Sequence, residues 1–362
     1  MHNYNAMKYY FAPLEGITGY IYRQAHHAFY PGMDRYYAPF IVPKEKKYLN
    51  TKECNDLMPD HNKGMNLIPQ IMTNKSEEFL RIAALLYQEY GYRQINLNLG
   101  CPSKTVVSKK RGSGFLSEPD QLKLFLDEVC NGLESYGIVL SVKTRIGKDG
   151  PEEFPYLLEI FEQFPLAELI VHPRIQADFY HNTPNLSAFS KAYKSSMHAN
   201  WELCYNGDIF NVVDYGKIYQ EYPQISAVMM GRGLLINPRL SEELKVREFG
   251  GNENKGLQKL SYQRFLNDKK EKEERKRRYD FHKRLLEDYT TVLSGEKDVL
   301  FKMKELWFYM SQDFTEPHQY WKKMKKAQKL SVFECAVDAL YQEQRLLSQD
   351  DKKECVPVFL QE

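Results

Sequence analysis

No two cysteines in this chain stand at a spacing that metal or redox chemistry uses. The six, at 54, 101, 130, 204, 335 and 355, are scattered without CxxC or CxH. That argues against a zinc site and a disulfide framework, and for a reducing cytoplasm. No apolar run approaches the roughly 18 residues that cross a bilayer. The first residues, Met1-His-Asn-Tyr-Asn-Ala-Met-Lys8, lack the apolar segment of a secretion signal. A soluble cytoplasmic protein with no membrane or metal partner is therefore expected, and a monomer is the expected state. No GxGxxG follows a predicted strand, so a stably bound dinucleotide is unsupported, although a nicotinamide reductant can visit transiently. Internal repeats and low-complexity tracts are absent, and so is a marked excess of one charge. With 50 basic residues against 48 acidic ones, electrostatics act here through local clusters.

What is present is length, rings and alternation. The 362 residues allow one large domain with a smaller one, and 26 Tyr with 20 Phe supply rings for packing or stacking. Apolar runs predict strands at Tyr9–Ala12, Arg35–Phe40, Leu67–Gln70, Gln94–Asn98, Val139–Lys143, Leu169–His172, Leu203–Asn206 and Ala227–Gly231. Amphipathic helices such as Ser76–Tyr90, Pro119–Gly132, Phe154–Phe164 and Asn211–Tyr222 lie between them. About eight strands alternating with helices over roughly 240 residues predict an α/β fold of the (β/α)8 TIM-barrel type. An open doubly wound sheet is the competing architecture. The strand ends favour the barrel, because Pro13, Gln70, Asn98, Lys143, His172, Asn206 and Gly231-Arg232 would all meet at one mouth.

Beyond Pro238-Arg239 the pattern turns helical. Lys269 to Arg278 is a charge run that reads equally as a solvated linker or an exposed helix face. Helices follow over Phe281–Leu293, Glu296–Gln312, Glu316–Lys329 and Val332–Leu347, a small all-helical C-terminal domain. Lysines there, including Lys322, Lys325 and Lys326, are interleaved with Trp307, Tyr309, Tyr320 and Trp321. Cations among rings suit an RNA phosphate surface. They equally suit an ordinary soluble bundle.

Chemistry concentrates after the strands. Cys101 sits in a Gly100-Cys101-Pro102 turn with Asn96, Asn98, Ser103, Lys104, Lys109, Lys110 and Arg111 around it, a setting foreign to a core. Gly112 and Gly114 would let the basic part of that loop close over an RNA backbone as a clamp. Asn206-Gly207-Asp208 and Gly231-Arg232-Gly233 follow the last two strands, where this barrel type holds phosphate. Lys143 is costly to bury without an anion or an electron-rich ring. With His172 and the amide of Gln70, it suits a flat heterocycle such as flavin mononucleotide, FMN.

The motifs Ala12-Pro-Leu-Glu-Gly-Ile-Thr18 with Arg23, Asn98-Leu-Gly-Cys-Pro-Ser103 with Gly112-Ser-Gly-Phe-Leu116, Val142-Lys-Thr-Arg-Ile-Gly147, Val171-His-Pro-Arg174, Asn206-Gly-Asp-Ile209 and Met230-Gly-Arg-Gly233 occur in one order. In that order and spacing, residues 8 to 312 resemble the tRNA-dihydrouridine synthases. The resemblance implies FMN reduced by NADPH, hydride delivery to C6 of a uridine in tRNA, and a proton to C5 from Cys101. It implies FMN contacts from Pro13, Leu14, Glu15, Gln70, Lys143, His172, Asn206, Gly207, Asp208, Gly231 and Arg232. Asn98 would lie between flavin and base, and Arg174 near the RNA. The expected organisation is a catalytic barrel over residues 1–240, a charged linker or helix over 241–278, an RNA-binding helical domain over 279–350 and a tail over 351–362. The chain departs from the family in having Gly19 where an aspartate is usual, Leu14 for methionine, and His172-Pro-Arg-Ile175 for His-Gly-Arg-Thr. Lys44–Lys63 reads as a surface loop rather than a substrate-facing insertion. The competing functions are an FMN enzyme reducing a small pyrimidine or enone, and an RNA-binding protein with a relic flavin site.

Overall fold

The computed structural model describes residues 6–44, 48–249 and 260–354. Parts of four expected segments lie outside them: 1–5 of the barrel, 45–47 of the loop, 250–259 of the charged stretch and 355–362 of the tail. The chain forms two compact units. One comprises Met1–Tyr20, Met33–Asp208 and Lys217–Gly231, and the other Ile21–Gly32, Ile209–Gly216 and Arg232–Glu362.

Among its described residues, the first unit carries nine parallel strands: β1 (Lys8–Phe11), β2 (Arg35–Tyr37), β3 (Leu67–Ile68), β4 (Gln70–Ile71), β5 (Gln94–Leu99), β6 (Val139–Arg145), β7 (Leu166–His172), β8 (Glu202–Tyr205) and β9 (Ala227–Met230). Their lateral order is β3-β2-β1-β9-β8-β7-β6-β5-β4. The two ends of that order, β3 and β4, are separated in the chain by Pro69 alone. Proline has no N–H for the ladder, so it splits one strand in two without moving it. Rejoined, the halves make eight strands and the sheet closes on itself. An open sheet is excluded.

Side chains alternate across a strand, so every second residue points into the barrel. Tyr10, Ala12, Tyr37, Ile68, Ile170, Cys204, Ala227 and Met229 form one buried cluster. Beside that cluster, one buried charge is held in a pair. Glu168, 1% exposed, accepts from Tyr37 Oη at 2.6 Å and lies 3.3 Å from Arg35. Burial still pushes its carboxyl up, and Arg35 opposes that. On the outside, the helix Ser76–Tyr90 buries Phe79, Ile82, Ala83 and Leu86 on one face, and ends on Gly91 at φ 76°.

The second unit is helical, as its periodicity predicts. The charge run lies within one 33-residue helix, Leu260–Val292, followed by Glu296–Met310, His318–Lys326 and Leu330–Glu343. Trp307 is fully buried and donates its indole N–H to His282 Nδ1 at 3.1 Å. Burial drives His282 down to about 3, so this histidine is a neutral core residue. Arg277 pairs with Glu242, and buried Arg278 with Asp313 at 2.5 Å. That end of the charge run is packed structure, which a solvated linker would not be.

Candidate active site

Six of the expected cofactor and substrate residues share the inward parity at the C-terminal ends of the strands: Gln70, Asn98, Lys143, His172, Asn206 and Gly231. Register explains the grouping, because Asn98 lies beside Lys143, and Arg145 beside His172. Pro13, Leu14 and Glu15 occupy the turn after β1. The Leu14 N–H donates to Thr18 Oγ1 at 2.8 Å there, and Glu15 is exposed. Asn206 is fastened by donating Nδ2–H to the Met229 carbonyl at 2.8 Å. Gly207 and Asp208 follow β8 directly. Arg232 opens the short helix Arg232–Ile236 in the second unit, with its guanidinium over the Phe210 ring.

Lys143 is the odd member. Its ammonium makes no hydrogen bond or ion pair with any described residue, although carboxylates and carbonyls satisfy other cations nearby. Burial, helped by the positive charge of Arg145, lowers it to about 8. A desolvated cation without a counter-charge marks a place for an electron-rich ligand atom. Together with the amide of Gln70, it provides a cation and a donor–acceptor pair, a set that fits the pyrimidine edge of a flavin.

The Cys101 loop is built tightly. Asn98 Oδ1 accepts the backbone N–H groups of Gly100 and Cys101, each at 3.0 Å. The Cys101 carbonyl accepts Ser113 Oγ at 2.8 Å and Ser113 N at 3.1 Å. Gly112 adopts φ +57°, and a Cβ there would stand 2.8 Å from the Cys101 carbonyl oxygen. A Cβ on Gly114 would meet the Val107 backbone at 2.8 Å. These glycines permit close packing under the cysteine. Burial pushes the Cys101 thiol up from its ordinary value, so it carries its proton at neutral pH. A protonated thiol at a barrel mouth is equipped as an acid rather than as a nucleophile.

Lys110 pairs with Glu118 at 2.7 Å and Arg111 with Glu78 at 3.3 Å, while Lys109 is exposed. Two of the three cations thus anchor the loop to the barrel's own surface. Arg174, expected beside RNA, is only 1% exposed. Its guanidinium grips both oxygens of Asp208, at 3.0 and 2.5 Å, and donates to His172 Nε2 at 3.1 Å. Arginine has no acceptor atom, so His172 Nε2 accepts and the ring keeps its proton on Nδ1. Arg174 therefore orients His172 and commits the Asp208 carboxylate. Lys322, Lys325 and Lys326 are exposed on the helix His318–Lys326.

Sequence reasoning did not assign Arg145 a role, although the residue stands in a quoted motif. Its guanidinium caps the carbonyls of Gly100, Ile175 and Phe179 at 2.9, 2.8 and 2.7 Å, tying the Cys101 turn to the loop after β7. The signal available beforehand was its place two residues beyond Lys143, on the same parity.

The sequence pattern of the dihydrouridine synthases matches residues 10–331. The chain belongs to the dihydrouridine synthase family. A probable tRNA-dihydrouridine synthase of Staphylococcus epidermidis is 28% identical over 236 residues, covering 64% of this chain and 69% of the relative. A Staphylococcus aureus protein of the same name is 30% identical over 175 residues, covering 48% and 51%. An Arabidopsis thaliana protein named tRNA-dihydrouridine(47) synthase NAD(P)(+)-like is 26% identical over 176 residues, 49% of this chain and 25% of that protein. The chain therefore spans between a quarter and about two thirds of the length of these relatives. Among the described residues, this family member has no cluster of His, Cys, Asp and Glu able to hold a metal ion. It also has no described helix long and apolar enough to cross a membrane.

Proposed function

We propose that this chain reduces the C5–C6 double bond of a uridine in tRNA to dihydrouridine, with FMN bound at the barrel mouth and NADPH as the reductant, in the cytoplasm. The protonated, half-buried Cys101 at the strand ends carries the reading. FMN, when bound, supplies the hydride that adds to C6. The Cys101 thiol gives its proton to C5 as the C5–C6 π bond is consumed, and the resulting thiolate recovers a proton from solvent. Addition to a conjugated carbonyl builds enolate charge, which the acid quenches and the cationic pocket stabilises. Lys143 and Gln70 would hold the flavin ring, with Pro13, Leu14, Glu15, His172, Asn206, Gly207, Asp208, Gly231 and Arg232 completing the site. In this reading Asn98 stands between flavin and base, and the target uridine leaves its stack to reach them.

The helical segment 279–350 would grip the folded RNA by shape and phosphate charge through Lys322, Lys325 and Lys326. The test is direct. Purified protein should show flavin absorbance after reconstitution with FMN, and should oxidise NADPH and form dihydrouridine with unmodified tRNA. Turnover with free uracil or orotate and none with tRNA would overturn the RNA assignment in favour of a small-molecule reductase. Absence of both flavin binding and turnover would leave an RNA-binding relic.

A further inference from the structure

In the helical unit, the helices Leu260–Val292 and Leu330–Glu343 are laced together by polar side chains four residues apart. Lys283 Nζ lies 2.8 Å from Glu334, and Tyr279 Oη donates to Asp338 at 2.8 Å. Numbers fall on one helix as they rise on the other, so the two run antiparallel. One more turn along the same faces brings Arg275 opposite Gln342. The lacing stops there, because Gln342 is a neutral, exposed amide. In place of a third bond there is a surface cavity of about 410 Å3. It is lined from the first helix by Lys272, Arg275, Lys276 and Tyr279, and from the second by Tyr341 and Gln342.

The charges around this cavity do not balance within it. Asp338 also borders it, but that carboxylate is occupied by the Tyr279 hydroxyl. Lys276 pairs with Asp280 on its own helix. Lys272 and Arg275 make no side-chain hydrogen bond or ion pair with any described residue. Beyond them the polarity reverses: Arg345 pairs with Asp351 at 2.6 Å and feels the charge of Glu271. The rings of Tyr279 and Tyr341 meet edge to face, with centroids 5.0 Å apart, and give the cavity an apolar wall. Its volume falls in the range of ligand sites, roughly 300–1,000 Å3. Two unspent cations beside such a wall suit a phosphate and the sugar attached to it.

We infer that this cleft receives a phosphodiester of the RNA, with Lys272 and Arg275 meeting the charge that a carboxylate at position 342 would have supplied. It is a second contact, distinct from Lys322, Lys325 and Lys326. Glu343 stands about two and a half turns from Glu334, on the opposite side of its helix, and accepts from Tyr320 of the lysine-bearing helix at 2.6 Å. The helix Leu330–Glu343 therefore separates two cationic surfaces, and the RNA would contact both. Nearly all of that helix lies beyond residues 10–331, the stretch that the family pattern matches. The inference rests on the tRNA reading of the chain.

The test measures retention of unmodified tRNA on filters over a range of salt. It compares the unaltered protein, the double variant Lys272→Ala with Arg275→Ala, and Gln342→Glu, with thermal melts to show that each is folded. Loss of both cations should lower the slope of log affinity against log salt by about 1.4 to 1.8, at about 0.7 to 0.9 per phosphate contact. Gln342→Glu keeps both cations but places a carboxylate in the vacant register, so it should lower the slope in the same direction. Cations that served only to hold the helices together would not be silenced by giving them a partner. An unchanged slope in either folded variant would overturn the inference while leaving the tRNA reading in place. Inorganic phosphate is the small probe. If it raises the melting temperature of the unaltered protein but not of the double variant, and the tRNA slope is the same in both, the cleft takes a free anion and RNA is overturned as its occupant. Failure of the unaltered protein to bind tRNA would remove the functional reading and this inference together.

Discussion

The barrel mouth holds one half-buried cation without a described partner, whereas the buried cations of the helical unit meet carboxylates. In the helical unit Arg278 meets Asp313, and Lys352 lies 3.1 Å from the same carboxylate. The charges there close on each other, and that unit's surplus lysines are left outside in water. At the mouth, Arg174 is closed on Asp208 in the same manner, but Lys143 has no described partner. A buried pair stabilises mainly by avoiding the cost of a lone charge, whereas a lone charge is retained at a cost to folding. Among the described residues, the helical unit's buried cations meet carboxylates of that unit, and at the mouth the proposed ligand would meet Lys143.

Cys101→Ala attacks the mouth without disturbing its charge and should have the largest effect. FMN binding and reduction by NADPH should persist while dihydrouridine formation slows by about 10²–10⁴, the range for a lost general acid. Product formed at the unaltered rate, at equal flavin loading, would remove Cys101 from the mechanism. Lys143→Met asks whether the lone cation waits for a ligand. FMN affinity should drop about ten- to a hundredfold, while the apoprotein becomes more stable. The pH dependence sharpens this. With Lys143 at about 8 in the folded chain against an ordinary 10.5, the unfolded chain holds a proton across that window that the folded one has released. Apoprotein stability contributed by this group should therefore rise with pH between those values. Denaturant titrations in which Lys143→Met leaves the slope unchanged would show that the lysine is not desolvated.

How much of this was visible beforehand depended on whether the relevant partner was near in sequence. Strand alternation gave the barrel, and the parity of strand ends gave Gln70, Asn98, Lys143 and His172, because period two is a local property. Pairings across strands were hidden. Nothing in the local pattern says that Arg174 turns back on Asp208, or that Arg111 is taken by Glu78, and both had therefore been read as free for RNA. The glycines after Arg111 looked like hinges because composition does not show what lies against them. Here that is the Cys101 carbonyl itself. The same blindness applied to residues 44–63, read as a plain loop. They contain the helix Thr51–Leu57, started by a capping box between Asn50 and Glu53, and its Asp56 is buried.

The surface lysines should give a smaller effect than the mouth. Replacing Lys325 and Lys326 by Ala should leave flavin reduction intact and lower the slope of log affinity for tRNA against log salt. Each lost phosphate contact takes away about 0.7 to 0.9. An unchanged slope in filter-binding measurements would take them out of the interface.

The smallest effect tests a carboxylate supplied from elsewhere. Gly19 precedes the helix Tyr20–Phe29 and has no side chain to cap it, where family members usually carry aspartate. Asp56 fills the gap from a distant segment, accepting the Tyr20 N–H at 2.7 Å, while the Tyr20 ring stacks on His61 at 4.3 Å. A Cβ added at Gly19 would lie 3.1 Å from Asp56 Oδ1. Two carboxylates cannot share that corner without repulsion, so Asp56→Ala and Gly19→Asp should each destabilise by about 1 kcal/mol, the scale of a lost cap. The double variant moves the carboxylate to the residue before the helix and removes its rival. It should recover most of the loss, a non-additivity that neighbouring groups competing for one N–H require. Simple addition of the two losses in thermal melts would show that Asp56 contributes packing alone.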